Sequence, residues 1–139
     1  DRKKDIIVNS GGDNLSPQRI EGMLTVQPEI NQAMVYGDKR PHLVAVIVAD
    51  PDFAEEWANS HECEYDTETL ATNEEFNRAM ADAVTRVNES VSIIERVRHF
   101  IIATEPFTIE NEMMTATLKI RRHIIRNAYG EALGALYGD

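Results

Sequence analysis

Lys119 ends a short polar run, Thr115-Ala116-Thr117-Leu118-Lys119, and Ile120-Arg121-Arg122 follows at once. From Ile120 the residues Ile124, Ala128 and Tyr129 recur at helical spacing, with Arg121, Arg122 and Arg126 on the other side. The lysine therefore stands where a loop enters a helix, a place from which an ammonium can be aimed outside its own domain. Taken alone it reads as a solvated surface charge, the ordinary state of a lysine. The second stretch with chemical capacity is Asn9-Ser10-Gly11-Gly12-Asp13-Asn14. Adjacent glycines permit positive φ and let a backbone or ligand approach closely. The simplest reading is a hairpin turn. The stretch lacks both the Lys-Ser/Thr ending of a P-loop and the spacing of a dinucleotide fingerprint. His61 and Cys63 share one polar segment, but no second pair stands at ligand spacing, and His42, His99 and His123 are scattered. No metal site is expected.

The elements that must position these residues follow from local pattern. Residues 6–8 are a β-branched run and read as a strand. Ser16-Pro17 opens a helix with Ile20, Met23 and Leu24 on one face, ending before Pro28. Residues 32–36 and 43–49 read as strands joined by Gly37-Asp38-Lys39-Arg40-Pro41. The second is apolar throughout, which places it centrally and buried on both faces. Asp50-Pro51 caps a short helix with Phe53 and Trp57 inward. Residues 60–72 are polar and aperiodic and read as a surface loop. Thr72-Asn73-Glu74-Glu75 reads as a capping box opening the longest helix. Its stripe is Phe76, Met80, Ala83, Val84, Val87, Val91 and Ile94. A strand at 97–103 and a final helix through Gly130 complete an α+β domain, a small mixed β-sheet covered by helices.

Composition bounds the function. The 139 residues suffice for one domain with a core, not two. A formal charge of −10 argues against nucleic acid, although a nest of amides and a few arginines could still hold a phosphorylated ligand. One cysteine, Cys63, precludes an internal disulfide and favours a reducing compartment. Neither signal peptide nor membrane-spanning run is visible. The chain opens on Asp1-Arg2-Lys3-Lys4-Asp5 without an initiator methionine, which reads as an excised fragment.

Three separated blocks carry a resemblance. The first is Asp1-Arg2-Lys3-Lys4-Asp5-Ile6-Ile7-Val8 with Ser10-Gly11-Gly12-Asp13-Asn14-Leu15-Ser16-Pro17 and Ile20-Glu21. The second is Ala33-Met34-Val35-Tyr36-Gly37-Asp38 with Arg40-Pro41 and Leu43-Val44-Ala45. The third runs from Glu95-Arg96-Val97-Arg98-His99-Phe100 through Phe107-Thr108-Ile109-Glu110-Asn111 to Lys119 and Arg121-Arg122. In this order they resemble the C-terminal domain of the adenylate-forming acyl-CoA synthetases, in the form of the long-chain fatty-acid–CoA ligases. Two departures stand out: Asn111-Glu112 where the family often has Asn-Gly, and Thr115-Ala116-Thr117 where it commonly has Thr-Pro-Thr.

The resemblance implies a mobile domain spanning 1–139, beginning at the hinge, with a large N-terminal adenylation domain as its partner in cis. It implies ATP-dependent conversion of a fatty acid to acyl-AMP and then, with coenzyme A, to acyl-CoA. Lys119 would be the catalytic lysine of adenylation, Lys4 the hinge and Arg2 a nucleotide contact. Gly11 and Gly12 would border the pantetheine channel. Mg2+ is expected in the N-terminal domain, and the isolated fragment is expected to be inactive. The implied location is cytoplasmic, with peripheral membrane association of the full-length enzyme left open. The alternatives are a free-standing interaction module, or the same domain from a ligase of different acid specificity.

Overall fold

The structure is a computed structural model and describes residues 6–138. Ile7–Val8 (β1) and Asn14–Leu15 (β2) pair antiparallel around the glycine turn, so the expected hairpin has a second arm that sequence reading had not singled out. Pro17–Val26 (α1) follows, capped by the Ser16 hydroxyl, which accepts from the Arg19 N–H. Its buried face is Pro17, Ile20, Glu21 and Leu24. The expected face included Met23, which is only half-buried, and omitted the carboxylate.

Ile30–Tyr36 (β3) pairs antiparallel with Leu43–Ala49 (β4), and β4 pairs in parallel with Val97–Ile102 (β5). This is the mixed sheet, ordered β3-β4-β5 with β4 in the centre. Side chains of β4 alternate between two cores, as the two-residue period of a strand requires. Leu43, Ala45 and Ile47 face the helices α1 and those of residues 51–88, whereas Val44, Val46 and Val48 face the C-terminal segment. An uninterrupted apolar run is what burial on both faces demands.

Over the first face lie Pro51–Ser60 (α2), Thr67–Thr72 (α3) and Glu74–Asn88 (α4). The helix α3 corrects the expected loop at 60–72. Asp66 caps it by accepting from the Thr69 N–H at 3.1 Å, and Leu70 is buried. Six residues are too few to display a helical period, but the cap was readable. The cap of α4 is Asn73 rather than a Thr72 box: its Oδ1 accepts from the Phe76 N–H at 2.9 Å. The stripe also stops sooner than expected. Asn88, the last residue of the helix, pairs its side-chain amide with both the N–H and the carbonyl of Val97, each at 2.9 Å. Val91 is buried beyond the helix, and Ile94 is exposed in a single 3-10 turn.

The second face is covered by Phe107, Met113, Arg122–Ala128 (α5) and Gly130–Ala135 (α6). The expected single final helix is therefore two, broken at Tyr129, whose ψ of 17° leaves the helical register just before Gly130.

Candidate active-site elements

Lys119 sits on a small hairpin tip. Met114 and Ile120 form an antiparallel bridge, and inside it the Thr115 N–H donates to the Lys119 carbonyl at 2.8 Å. The Leu118 N–H donates to the Thr115 carbonyl at 2.9 Å, closing a turn over Ala116 and Thr117. Both threonines serve this turn. The Thr115 hydroxyl accepts from the Lys119 N–H at 3.2 Å and lies 3.0 Å from the Thr117 hydroxyl. Leu118 takes a φ of 65°, the bulge position that glycine usually fills, and is 70% exposed. Lys119 itself is exposed.

The hairpin is held from below by a dense polar network. The Asn111 carboxamide oxygen accepts from the Thr108 and Met113 N–H groups, both at 3.0 Å, while its amide donates to the Pro106 carbonyl at 2.9 Å. Glu112, next in line, has a φ of 68°. The family's Asn-Gly is thus explained locally: the second residue needs the left-handed region, and here a glutamate occupies it at some strain. Gln32 on β3 then ties the segment to the sheet. Its Oε1 accepts from the Phe107 N–H at 2.8 Å, and its amide donates to the Phe107 carbonyl at 3.0 Å.

Past the lysine, Arg122 forms a two-pronged ion pair with Glu21 of α1, in which Nη1 meets Oε2 and Nη2 donates to Oε1 at 3.1 Å. The same Oε2 accepts from the Val35 N–H at 2.7 Å. One buried carboxylate thereby links α1, β3 and the start of α5. Sequence reading missed this pair. The available signal was a charged residue within the apolar face of α1.

The glycine turn is organised by Asn9, whose Oδ1 accepts from Gly11 N–H at 3.0 Å and Asp13 N–H at 2.9 Å. Gly12 has a φ of 87°, so this position requires glycine's freedom. The hairpin rests on the β3–β4 turn: the Lys39 N–H donates to the Val8 carbonyl at 2.7 Å, and the Ser10 N–H to the Arg40 carbonyl at 2.9 Å. The chain before the lysine is thus tied to β3 at Gln32 and the chain after it at Val35 through Glu21 and Arg122, whereas the glycine hairpin rests on the turn beyond Tyr36. At about 3.3 Å per residue, Gln32 and Tyr36 stand roughly 13 Å apart along the strand. The structure does not bring Lys119 and the glycines together. Arg2 and Lys4 lie outside the described residues.

Among the described residues no three His, Cys, Asp or Glu side chains are grouped to hold a metal ion. No described helix is long and apolar enough to cross a membrane. The apolar cavity of about 180 Å³ lined by Ala54, Leu70, Phe76 and Ile102 contains none of the residues expected to do chemistry.

The chain matches the model of the AMP-binding enzyme C-terminal domain over residues 4–139. It belongs to that family. Among curated relatives, this AMP-binding C-terminal domain is 35% identical to the long-chain-fatty-acid–CoA ligase FadD15 of Mycobacterium tuberculosis, over 98% of the chain and 23% of the relative. It is 28% identical to the human long-chain-fatty-acid–CoA ligase 6, over 99% of the chain and 20% of the relative. The chain thus spans only about a quarter or a fifth of the relatives it matches. Its fold superposes on the A-PCP didomain of the Segniliparus rugosus carboxylic acid reductase, solved with AMP, with a TM-score of 0.78 and 29% identity. That match covers 99% of the chain and 18% of the reductase chain. The acyl-CoA synthetase of Brucella canis shares the fold at a TM-score of 0.59 and 22% identity, over 96% of the chain and 20% of that protein.

Proposed function

We propose that this chain is the mobile C-terminal domain of a long-chain fatty-acid–CoA ligase and that it serves two half-reactions in turn. In the first, a carboxylate oxygen attacks the α-phosphorus of ATP, the bond to the β-phosphate bridge breaks, and pyrophosphate leaves. The reacting groups are both anionic, and charge builds on the bridging oxygen as it departs. The Lys119 ammonium offsets that charge from a rigid hairpin tip, an effect of the size of about 3 kcal/mol for one preorganised donor. In the second half-reaction the thiol of coenzyme A loses its proton to solvent and attacks the acyl carbonyl carbon, and AMP leaves. Here the Gly11–Gly12 turn borders the pantetheine, where the lack of side chains leaves room for a narrow channel. Lys4 is the hinge and Arg2 a nucleotide contact in this reading. Mg2+ belongs to the N-terminal domain; this chain's described residues offer it no site, and no step is derived through it.

The observation that supports the reading is that the lysine hairpin and the glycine hairpin are two separate loops of one body, the first tied to β3 through Gln32 and Val35 and the second resting on the β3–β4 turn. A single body that carries two such loops presents each in its own half-reaction by turning. The test uses the full-length enzyme bearing Lys119→Ala. Adenylate formation, followed as pyrophosphate release, should slow about 10²-fold or more. Thioester formation from supplied acyl-adenylate should stay near the parent rate. An unimpaired adenylation rate would end the catalytic assignment.

A second reading draws on the higher TM-score to carboxylic acid reductase than to the Brucella canis enzyme. In it the accepting thiol sits on a protein rather than on free coenzyme A. Incubating the full-length enzyme with fatty acid, ATP and free coenzyme A separates the two, because only the first reading yields acyl-CoA.

A further inference from the structure

The end of the described chain is pinned to the turn between β3 and β4. Tyr137 donates its hydroxyl to the His42 carbonyl at 2.6 Å, with the Tyr36 carbonyl 3.4 Å away. The Arg40 guanidinium lies 4.6 Å over its ring, and the rings of His42 and Tyr36 pack beside it at 4.9 and 6.3 Å. Burial, and then the neighbouring Tyr36, lift the Tyr137 pKa well above the ordinary tyrosine value, outweighing Arg40. The hydroxyl is therefore a permanent donor.

That same turn is the floor under the glycine hairpin. Lys39 and Arg40 exchange backbone bonds with Val8 and Ser10, and the Asp38 carboxylate accepts from the Val8 N–H at 3.2 Å. At the root of the turn, a Cβ on Gly37 would stand 2.5 Å from Leu43 Cδ2 and 3.2 Å from the His42 carbonyl. Within the turn the Arg40 N–H donates to the Gly37 carbonyl at 2.9 Å. Tyr137 braces it from outside, by the Arg40 and His42 contacts.

We propose that Tyr137 is a positioning residue for thioester formation, setting the height of the Gly11–Gly12 loop through the 37–42 turn. This rests on the reading of that loop as the coenzyme A side of the domain. Three variants of the full-length enzyme test it, each with the two half-reactions measured separately. Gly12→Val, strained by the positive φ, reports on the loop itself. Tyr137→Phe removes one hydrogen bond and keeps the ring contacts, and Tyr137→Ala removes both.

The expected result is a slowed thioester step in Gly12→Val and a KM for coenzyme A raised about three- to tenfold in Tyr137→Phe, the scale of one lost hydrogen bond. Tyr137→Ala should raise it further, with kcat of the thioester step much less changed in Tyr137→Phe. Adenylation should remain within about twofold of the parent in Tyr137→Phe. If Gly12→Val slows thioester formation and neither Tyr137 variant moves the KM for coenzyme A, the positioning role is overturned and the loop reading survives. Equal loss of both half-reactions in Tyr137→Phe also overturns it, because a general weakening of the fold does not discriminate. A Gly12→Val enzyme with normal thioester formation overturns the loop reading, and the inference falls with it.

Discussion

Glu112 and Leu118 bracket the lysine hairpin with left-handed backbone, at φ 68° and 65°. A non-glycine residue there carries a cost of about 1–2 kcal/mol, partly offset by the smaller entropy it loses on folding. Glu112→Gly should therefore stabilise the domain by about 0.5–1 kcal/mol. A urea titration of parent and variant would show the midpoint rise, and a fall would mean that the glutamate side chain contributes more than its strain costs. His42 gives a second prediction at this scale. Its ring is held below the ordinary histidine value by burial first, and then by His99 and Arg98. Its Nε2 is buried without a hydrogen-bond partner among the described residues. The depressed pKa means that the unfolded chain takes up the proton before the folded one does. The contribution is complete above about pH 6.5 and is lost as pH falls through the folded-state value. Urea midpoints should fall between pH 7.5 and about 5.5, a range that stays clear of ordinary carboxylate titration. The same series on His42→Gln should be flatter, and an unchanged slope would assign the dependence elsewhere.

At the scale of elements, the Glu21–Arg122 pair fastens α1 to α5 through the β3 backbone. Removing one partner of a buried pair leaves an uncompensated charge, at a cost of about 3 kcal/mol or more. Glu21→Ala and Arg122→Ala should each destabilise by about that much, whereas Glu21→Met combined with Arg122→Leu should recover most of the loss. A double variant as unstable as the singles would show that the geometry, not the charge, is essential. The pair also shows where sequence reading reaches its limit. Strand β2 was too short to show, but the glycine turn, α1, β3, β4, α2, α4 and β5 were legible, because each has a turn signal, a helix cap or an apolar run. Helix α3 was not, being shorter than two helical turns, and neither was the break at Tyr129, since a helical period runs through it unchanged. Lys119 and the glycines stood out by motif. Glu21 and Arg122 stood inside the blocks of resemblance, but their pairing was hidden, as was that of His42 with Tyr137, because these partners lie about 100 residues apart and only the fold brings them together.

At the scale of the molecule, the central strand separates two apolar clusters, one under α1–α4 and one under the lysine segment, α5 and α6. The lysine segment is tied to β3 and the glycine hairpin to the turn that leaves it, and β3 belongs to both clusters through Ile30, Ala33 and Val35 on one side and Met34 on the other. Neither loop can shift along the sheet without breaking its hydrogen bonds to Gln32 or to the β3–β4 turn. In the proposed cycle the domain therefore exchanges its tools by tumbling whole, and no part of it melts and re-forms on the way. Such a step is opposed by solvent friction rather than by an internal barrier. Under conditions where the exchange limits turnover, the full-length enzyme should slow in proportion to the viscosity of added sucrose. A polymer that thickens the bulk solution but leaves local friction unaltered should have much less effect. A rate indifferent to sucrose but accelerated by dilute urea would place the barrier inside the domain, in a loosening of its own sheet.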